Sequence, residues 1–174
     1  MGCGKSHHEF SSGNCVCQVV RAINDLQQAV AAEECQPCTS CFNEPLGSLV
    51  SPTSTTVDTR VFVLKTADGT PFNAFFFENN NPTCVSIYFR VEDVFDNCCA
   101  TLRVLAPGKT DAHGNFHPVN LVSTSGKGES GCCINLGAVC DVTAFQATND
   151  CVTVDLNCFC AIQCIADVDL GICH

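Results

Sequence analysis

The sequence predicts a mainly β protein, an antiparallel β-sandwich or barrel-like domain with one N-terminal amphipathic helix. Three observations carry that expectation. Apolar residues recur at helical spacing only near the start of the chain. After position 57 short runs of period two alternate with turn residues. Apolar side chains make up 46% of the chain and charged ones only 15%. A disordered chain is polar and rich in charge, so most of this one should fold. Its 174 residues suffice for one buried core without covalent staples.

Taken in order, residues 1–14 are polar and glycine-rich, contain His7 and His8, and read as a flexible tail. Asn14 is a suitable helix N-cap. Beyond it Val16, Val19, Val20, Ile23, Leu26 and Val30 fall on one helical face, with Arg21, Asn24, Asp25 and Gln28 opposite, which predicts a helix over 15–34. A cysteine cluster, Cys35-Gln36-Pro37-Cys38-Thr39-Ser40-Cys41, and a Ser/Thr/Pro linker occupy 35–56, and a β domain should fill 57–174. Within it 57–65 is rich in β-branched and large apolar residues. An Asp68-Gly69 turn makes 71–78 its expected hairpin partner. Asn79-Asn80-Asn81-Pro82 breaks the chain. Residues 84–92 alternate, Val85, Ile87, Phe89 and Val91 against Ser86, Tyr88, Arg90 and Glu92. Residues 99–105 alternate as well. A long Gly-, Ser- and Asn-rich loop is expected over 106–131, holding at most a short strand at 119–123. Further strands are expected at 132–136, at 138–145 and from Cys151 to Ile165. In that last run Val152, Val154, Leu156, Cys158, Cys160, Ile162 and Cys164 share one parity, which predicts three cysteines on the apolar face.

Seventeen cysteines are far more than a core of this size requires. The number is odd, so pairing within the chain cannot consume every thiol. The first residues contain no apolar stretch of the kind a secretory signal needs, and the apolar runs are too short for a membrane helix of roughly 18 residues. Thiols suited to an oxidising place thus belong to a chain expected to be made in a reducing one. Either they bind metal or the protein reaches oxidising surroundings without secretion. A net charge of −10 disfavours nucleic acid and anionic membranes as partners.

The chemical motifs are weak. Cys35, Cys38 and Cys41 have the spacing of three zinc ligands, but the matching second pair is missing; a cysteine-rich zinc-binding module is the alternative to a structural role. A catalytic thiol would need one activated cysteine in a defined pocket. His113 and His117 lie in the glycine-rich loop, and no thioredoxin-like βαβ context surrounds a CxxC pair. The expectation is therefore no enzymatic activity and no cofactor. Gly4-Lys5-Ser6 lacks the rest of a phosphate loop. Met1-Gly2-Cys3-Gly4-Lys5-Ser6 fits a myristoylation pattern that leaves the other cysteines unexplained. In the vicinal pairs Cys98-Cys99 and Cys132-Cys133, strand alternation would turn one thiol inward and one outward.

The chain also resembles a known family, the cysteine-rich spore coat and exosporium proteins of Bacillus (CotY, CotZ and ExsY). The likeness lies in Val154-Asp155-Leu156-Asn157-Cys158-Phe159-Cys160-Ala161-Ile162-Gln163-Cys164 and in Phe89-Arg90-Val91-Glu92 followed by Cys98-Cys99-Ala100-Thr101-Leu102-Arg103-Val104-Leu105. It continues in Cys3-Gly4-Lys5 with Asn14-Cys15-Val16-Cys17. Residues 42–56 and 106–150 match poorly, so no role carries over to Cys132, Cys133 or Cys140. The resemblance implies a protein made in the mother-cell cytoplasm and deposited in the coat or exosporium. It implies self-assembly into a two-dimensional, hexagonal (hexameric) lattice with itself and other coat proteins, locked by disulfides. Cysteines on flexible or terminal backbone, Cys3, Cys15, Cys17, Cys35, Cys38, Cys41 and Cys173, are the expected inter-subunit links. Cys84, Cys98, Cys99, Cys151, Cys158, Cys160 and Cys164 are expected on strands or in the core.

Overall fold

In a computed structural model, residues 15–28, 57–78, 81–122 and 134–172 are described. The protein is mainly antiparallel β-structure with one N-terminal helix, as the sequence predicts. Helix α1 (Cys15–Gln28) is followed by strands β1 (Thr59–Lys65), β2 (Ala74–Glu78), β3 (Asn81–Ser86), β4 (Phe89–Val94), β5 (Cys99–Thr110) and β6 (Phe116–Pro118). A short helix α2 (Leu136–Val139), then β7 (Ala144–Asp155), a 3-10 turn (Leu156–Cys158) and β8 (Ala161–Val168) complete the order. Six strands form one sheet, β6-β5-β4-β1-β8 with β7 on the other side of β5, while β2 and β3 make a separate ribbon.

The sheet is covered on both faces. Helix α1 lays Val16, Val19, Val20 and Ile23 over Phe62, Leu64, Phe89, Val91, Leu102 and Val104. Behind it Val61, Val63, Tyr88 and Leu105 meet Leu121, Val139, Phe145 and Leu170. Strand β1 therefore buries successive residues, not alternate ones, and sits between β4 and β8. That position corrects the expected hairpin of 57–65 with 71–78. The Asp-Gly turn is present, with Gly69 at φ 82 and Asp68 Oδ1 accepting from Thr66 Oγ1 at 2.6 Å and Thr70 N at 3.1 Å. Pairing stops after a single bridge, Lys65 to Pro71. Both edges of β1 are already occupied, so β2 pairs with β3 instead. There Phe76 is buried while Phe75 and Phe77 stay exposed.

The run 84–92 is likewise two strands. At Ile87 and Tyr88 the ladder is interrupted, and the Ser86 hydroxyl accepts from Tyr88 N at 3.0 Å, holding the bend. The bend sends Ile87 and Tyr88 to the second core while Phe89 and Val91 return to the first. Strand β5 reaches to Thr110, well into the expected loop, because β7 and β6 pair with its second half. No side chain at Gly108 keeps this closure open: a Cβ there would run into the Phe116 ring and the His117 carbonyl. Where strands are expected at 132–136 and 138–145, the residues described from 134 onward form one bridge, Val122 to Ile134, and then α2, whose N-cap Asn135 accepts from Gly137 N and Ala138 N. Finally, the strand expected from Cys151 to Ile165 breaks at the 3-10 turn, where Asp155 Oδ1 accepts from Asn157 N at 2.9 Å.

Strands β1 and β4 share only one paired position, Phe62 with Phe89. Gln27 of α1 closes the gap beside it. Its Nε2 donates to Val91 O at 3.1 Å and its Oε1 accepts from Arg60 N at 3.0 Å, so a side-chain amide stands in for a missing ladder rung.

Candidate functional site

Cysteine is the residue type the sequence over-supplies, so the placement of the thiols defines the site. One cluster lies where α1, the turn between β4 and β5, and the 3-10 turn meet. Cys17, on the buried face of α1 and 1% exposed, forms a disulfide with Cys98 across 81 residues of chain, Cα to Cα 5.7 Å. One helical turn on, Arg21 Nη2 donates to Phe95 O and Asp96 O, both at 2.9 Å. The disulfide and the guanidinium thus grip the same turn. Cys98 has φ 63, donates its own N–H to Phe95 O, and accepts from Leu156 N at 3.0 Å. Three free thiols border the bond: exposed Cys15 two residues before Cys17, half-buried Cys99 opening β5, and exposed Cys158 at the end of the 3-10 turn.

The other thiols are dispersed. Cys151 is exposed and free on β7, opposite Arg103 of β5. Arg103 donates to Glu92 Oε1 at 2.6 Å and to Thr148 O at 2.8 Å. That bond to Glu92 pushes the guanidinium's pKa up further. Burial pushes the Cys151 thiol upward too, Glu92 and Asp150 adding to it against the opposing pull of Arg103. Cys151 is therefore a protonated thiol near neutral pH and not an activated nucleophile. Cys140 is exposed and free in the turn after α2. Cys84 packs half-buried against the first core from β3. Cys160 and Cys164 are both disulfide-bonded; Cys160 is exposed and Cys164 half-buried against the core.

These placements correct three expectations. Cys17, expected between subunits, is bonded within the chain, because the apolar face of α1 turns it into the core beside the β4–β5 turn. Cys98 and Cys99 are separated not by strand alternation but by a turn: Cys98 precedes the strand in a left-handed conformation. Cys158 and Cys160 do not continue the apolar face of Val154, since the 3-10 turn interrupts the strand and leaves both exposed, while Ile162 and Cys164 beyond it return to the same core. Cys15 remains exposed and free. Cys3, Cys35, Cys38, Cys41, Cys132, Cys133 and Cys173 lie outside the described residues, and with them the zinc alternative. Among the described residues no group of three His, Cys, Asp or Glu is placed to hold a metal ion. His117 faces Asp111, Nε2 to Oδ2 3.0 Å, in the β5–β6 hairpin, which contains no cysteine. No helix among the described residues is long and apolar enough to cross a membrane.

Sequence reasoning missed the buried polar residues. Arg60 and Asp167, paired across β1 and β8, form a two-pronged salt bridge, Nε to Oδ1 and Nη2 to Oδ2 both 2.8 Å, with neither side chain exposed. Asp58 Oδ1 accepts from Leu170 N at 3.0 Å and Oδ2 from Ile172 N at 2.8 Å, fastening the segment after β8. A charge inside a strongly apolar strand, as at Arg60 and Arg90, was the available signal.

A β domain whose two cores are filled by aliphatic and aromatic side chains, with thiols spread over its surface, defines a cysteine-rich structural domain. The sequence matches the spore coat protein Z family across residues 1–167. It is 34% identical over 157 residues to spore coat protein Z of Bacillus subtilis (strain 168), an alignment covering 88% of this chain and 90% of that protein. The chain belongs to the spore coat protein Z family and is a structural protein of the spore's surface layers. No solved structure matches it.

Proposed function

We propose that the protein is a self-assembling, non-enzymatic subunit of a disulfide-cross-linked layer of the spore coat or exosporium. Copies pack first through non-covalent contacts, with one another and with other coat proteins, into a two-dimensional hexagonal lattice, and disulfides then lock the product. The observation that carries this reading is the set of exposed free thiols, Cys15, Cys140, Cys151 and Cys158, on a domain that fills its core without them. Each disulfide typically contributes about 2–4 kcal/mol, and several per subunit make a sheet that must break many bonds at once. Synthesis in the reducing mother-cell cytoplasm keeps the thiols open until assembly is complete.

The test is negative-stain microscopy of the purified chain, paired with non-reducing gels after boiling in detergent. Ordered sheets that survive boiling until reductant is added are expected. Monomers that stay monomeric after oxidation would overturn the reading. Replacing Cys3, Cys15, Cys35, Cys38, Cys41 and Cys173 together with Ser should leave the sheets intact while lowering their resistance to boiling. A high-molecular-weight ladder persisting in that variant would move the locks to Cys140, Cys151 and Cys158.

A further inference from the structure

We propose that the Cys17–Cys98 disulfide, once formed in the assembled layer, is an exchangeable bond that joins two copies of this chain at Cys98 in a step that needs no further oxidant. The inference rests on the cross-linked layer proposed above and specifies the chemistry of one of its links.

The two sulfurs are unequally placed. Cys17 is 1% exposed within the core under α1, whereas Cys98 is half-buried in a turn whose neighbours Asp96 and Asn97 are exposed. An incoming thiolate therefore reaches the bond at Cys98. Cys17 is the displaced sulfur, and as a thiol it fits its apolar surroundings as a small hydrophobe. The helix does not depend on the bond alone for its position. Arg21 holds the same turn, Gln27 bridges β1 and β4, and four aliphatic side chains of α1 are buried. Opening the bond thus leaves the domain assembled.

The attacking group comes from a second copy. This chain presents free, exposed thiols at Cys15, Cys140 and Cys158, and a layer of copies holds them at high local concentration. Cys15, Cys99 and Cys158 of the same chain also border the bond, so exchange within one chain competes with exchange between copies until those thiols are blocked. The step balances as ordinary thiol–disulfide exchange. The attacking thiol gives up its proton, its thiolate forms a bond to Cys98 Sγ, the Cys98–Cys17 bond breaks, and the Cys17 thiolate takes up a proton. One disulfide and one thiol are consumed, and one of each is formed.

The experiment uses the full chain. A biotin-tagged portion, with its free thiols alkylated and its disulfides intact, is mixed with untagged, unblocked chain under argon with a chelator. A parallel portion carries Cys98→Ser, which spares the buried Cys17 position. The expected result is a covalent tagged–untagged dimer in which Cys98 is linked to a cysteine of the other chain and Cys17 becomes newly alkylatable, lost in the Cys98→Ser portion. The proposal falls if no dimer forms under argon, if mass spectrometry places the new link at Cys160 or Cys164, or if only added glutathione, and not the second copy, attaches at Cys98. An air-oxidised arm with the unblocked chain alone, its thiols left free, separates the two readings. Cross-linking in air but not under argon removes exchange and leaves the locked layer standing. Cross-linking in neither removes both.

Discussion

Arg60 and Arg90 stand in strands of otherwise aliphatic and aromatic residues, and each is neutralised by partners that only the fold assembles. Arg90 Nη1 donates to Asp58 O at 2.7 Å and to the Thr59 hydroxyl, and Nε to Glu92 Oε1 at 3.2 Å. Arg60 is more demanding, because its guanidinium and the Asp167 carboxylate are both removed from water. A buried charge that loses its partner costs about 3–5 kcal/mol, whereas replacing both charges by apolar groups is often close to neutral. Asp167→Ala is therefore expected to lower the urea unfolding free energy by about 3–5 kcal/mol, and the double change Arg60→Met with Asp167→Leu to restore most of it. Unfolding curves in excess reductant, followed by circular dichroism, measure both. Equal stability of the single and double variants would show that the pair is not what holds β1 to β8.

Among the described residues, helix α1 is fastened by the disulfide near its start, by Arg21 in its middle and by Gln27 at its end. Of these, the first is covalent. Closing a segment of 81 residues restricts the unfolded chain, an effect of about 2–4 kcal/mol in typical cases. Cys98→Ser should accordingly be less stable than the native chain by about 2–4 kcal/mol under oxidising conditions. That difference should all but vanish in excess reductant, where both should keep a β-type spectrum and a cooperative melt. A random-coil spectrum of the reduced native chain would show instead that the helix and the two cores depend on covalent closure, as in small disulfide scaffolds.

At the scale of the molecule, Asp58 ties the segment after β8 to the entrance of β1. Burial opposes its ionisation. The Leu170 and Ile172 amides, the Thr59 hydroxyl and the Arg90 charge outweigh that and hold its pKa below the usual 3.8. A carboxylate with a depressed folded pKa contributes stability above its unfolded value, and that contribution disappears as the pH falls through the folded one. The native chain should therefore lose this stabilisation below about pH 4. Asp58→Asn has no proton to gain, so its drop in urea midpoint between pH 6 and pH 3 should be smaller than that of the native chain. An identical drop in the two proteins would assign the acid sensitivity to other carboxylates. Asp68, drawn down to about 2 by Thr66 and Thr70, acts with the same sign but only within its own turn.

Local pattern by itself determined the class of fold, the face of α1 and the excess of thiols. Val16, Val19, Val20 and Ile23 repeat at helical spacing whatever they pack against, and β-branched runs bounded by Asp68-Gly69 or Asn79-Asn80 are strands in any context. The motifs at 89–105 and 154–164 likewise pointed to the family without coordinates. What only the tertiary structure decided is which strands are neighbours and which way each cysteine faces. Strand β1 reads as half of a hairpin until β4 and β8 occupy both of its edges. Cys158 and Cys160 read as core residues until a 3-10 turn interrupts the strand that carries them. Cys17 and Cys98 read as unrelated until α1 lies across the β4–β5 turn. The physical reason is shared by all three. Periodicity records the preferences of adjacent residues, whereas strand order, bends and disulfides join residues far apart in the chain, and those pairings are chosen by packing.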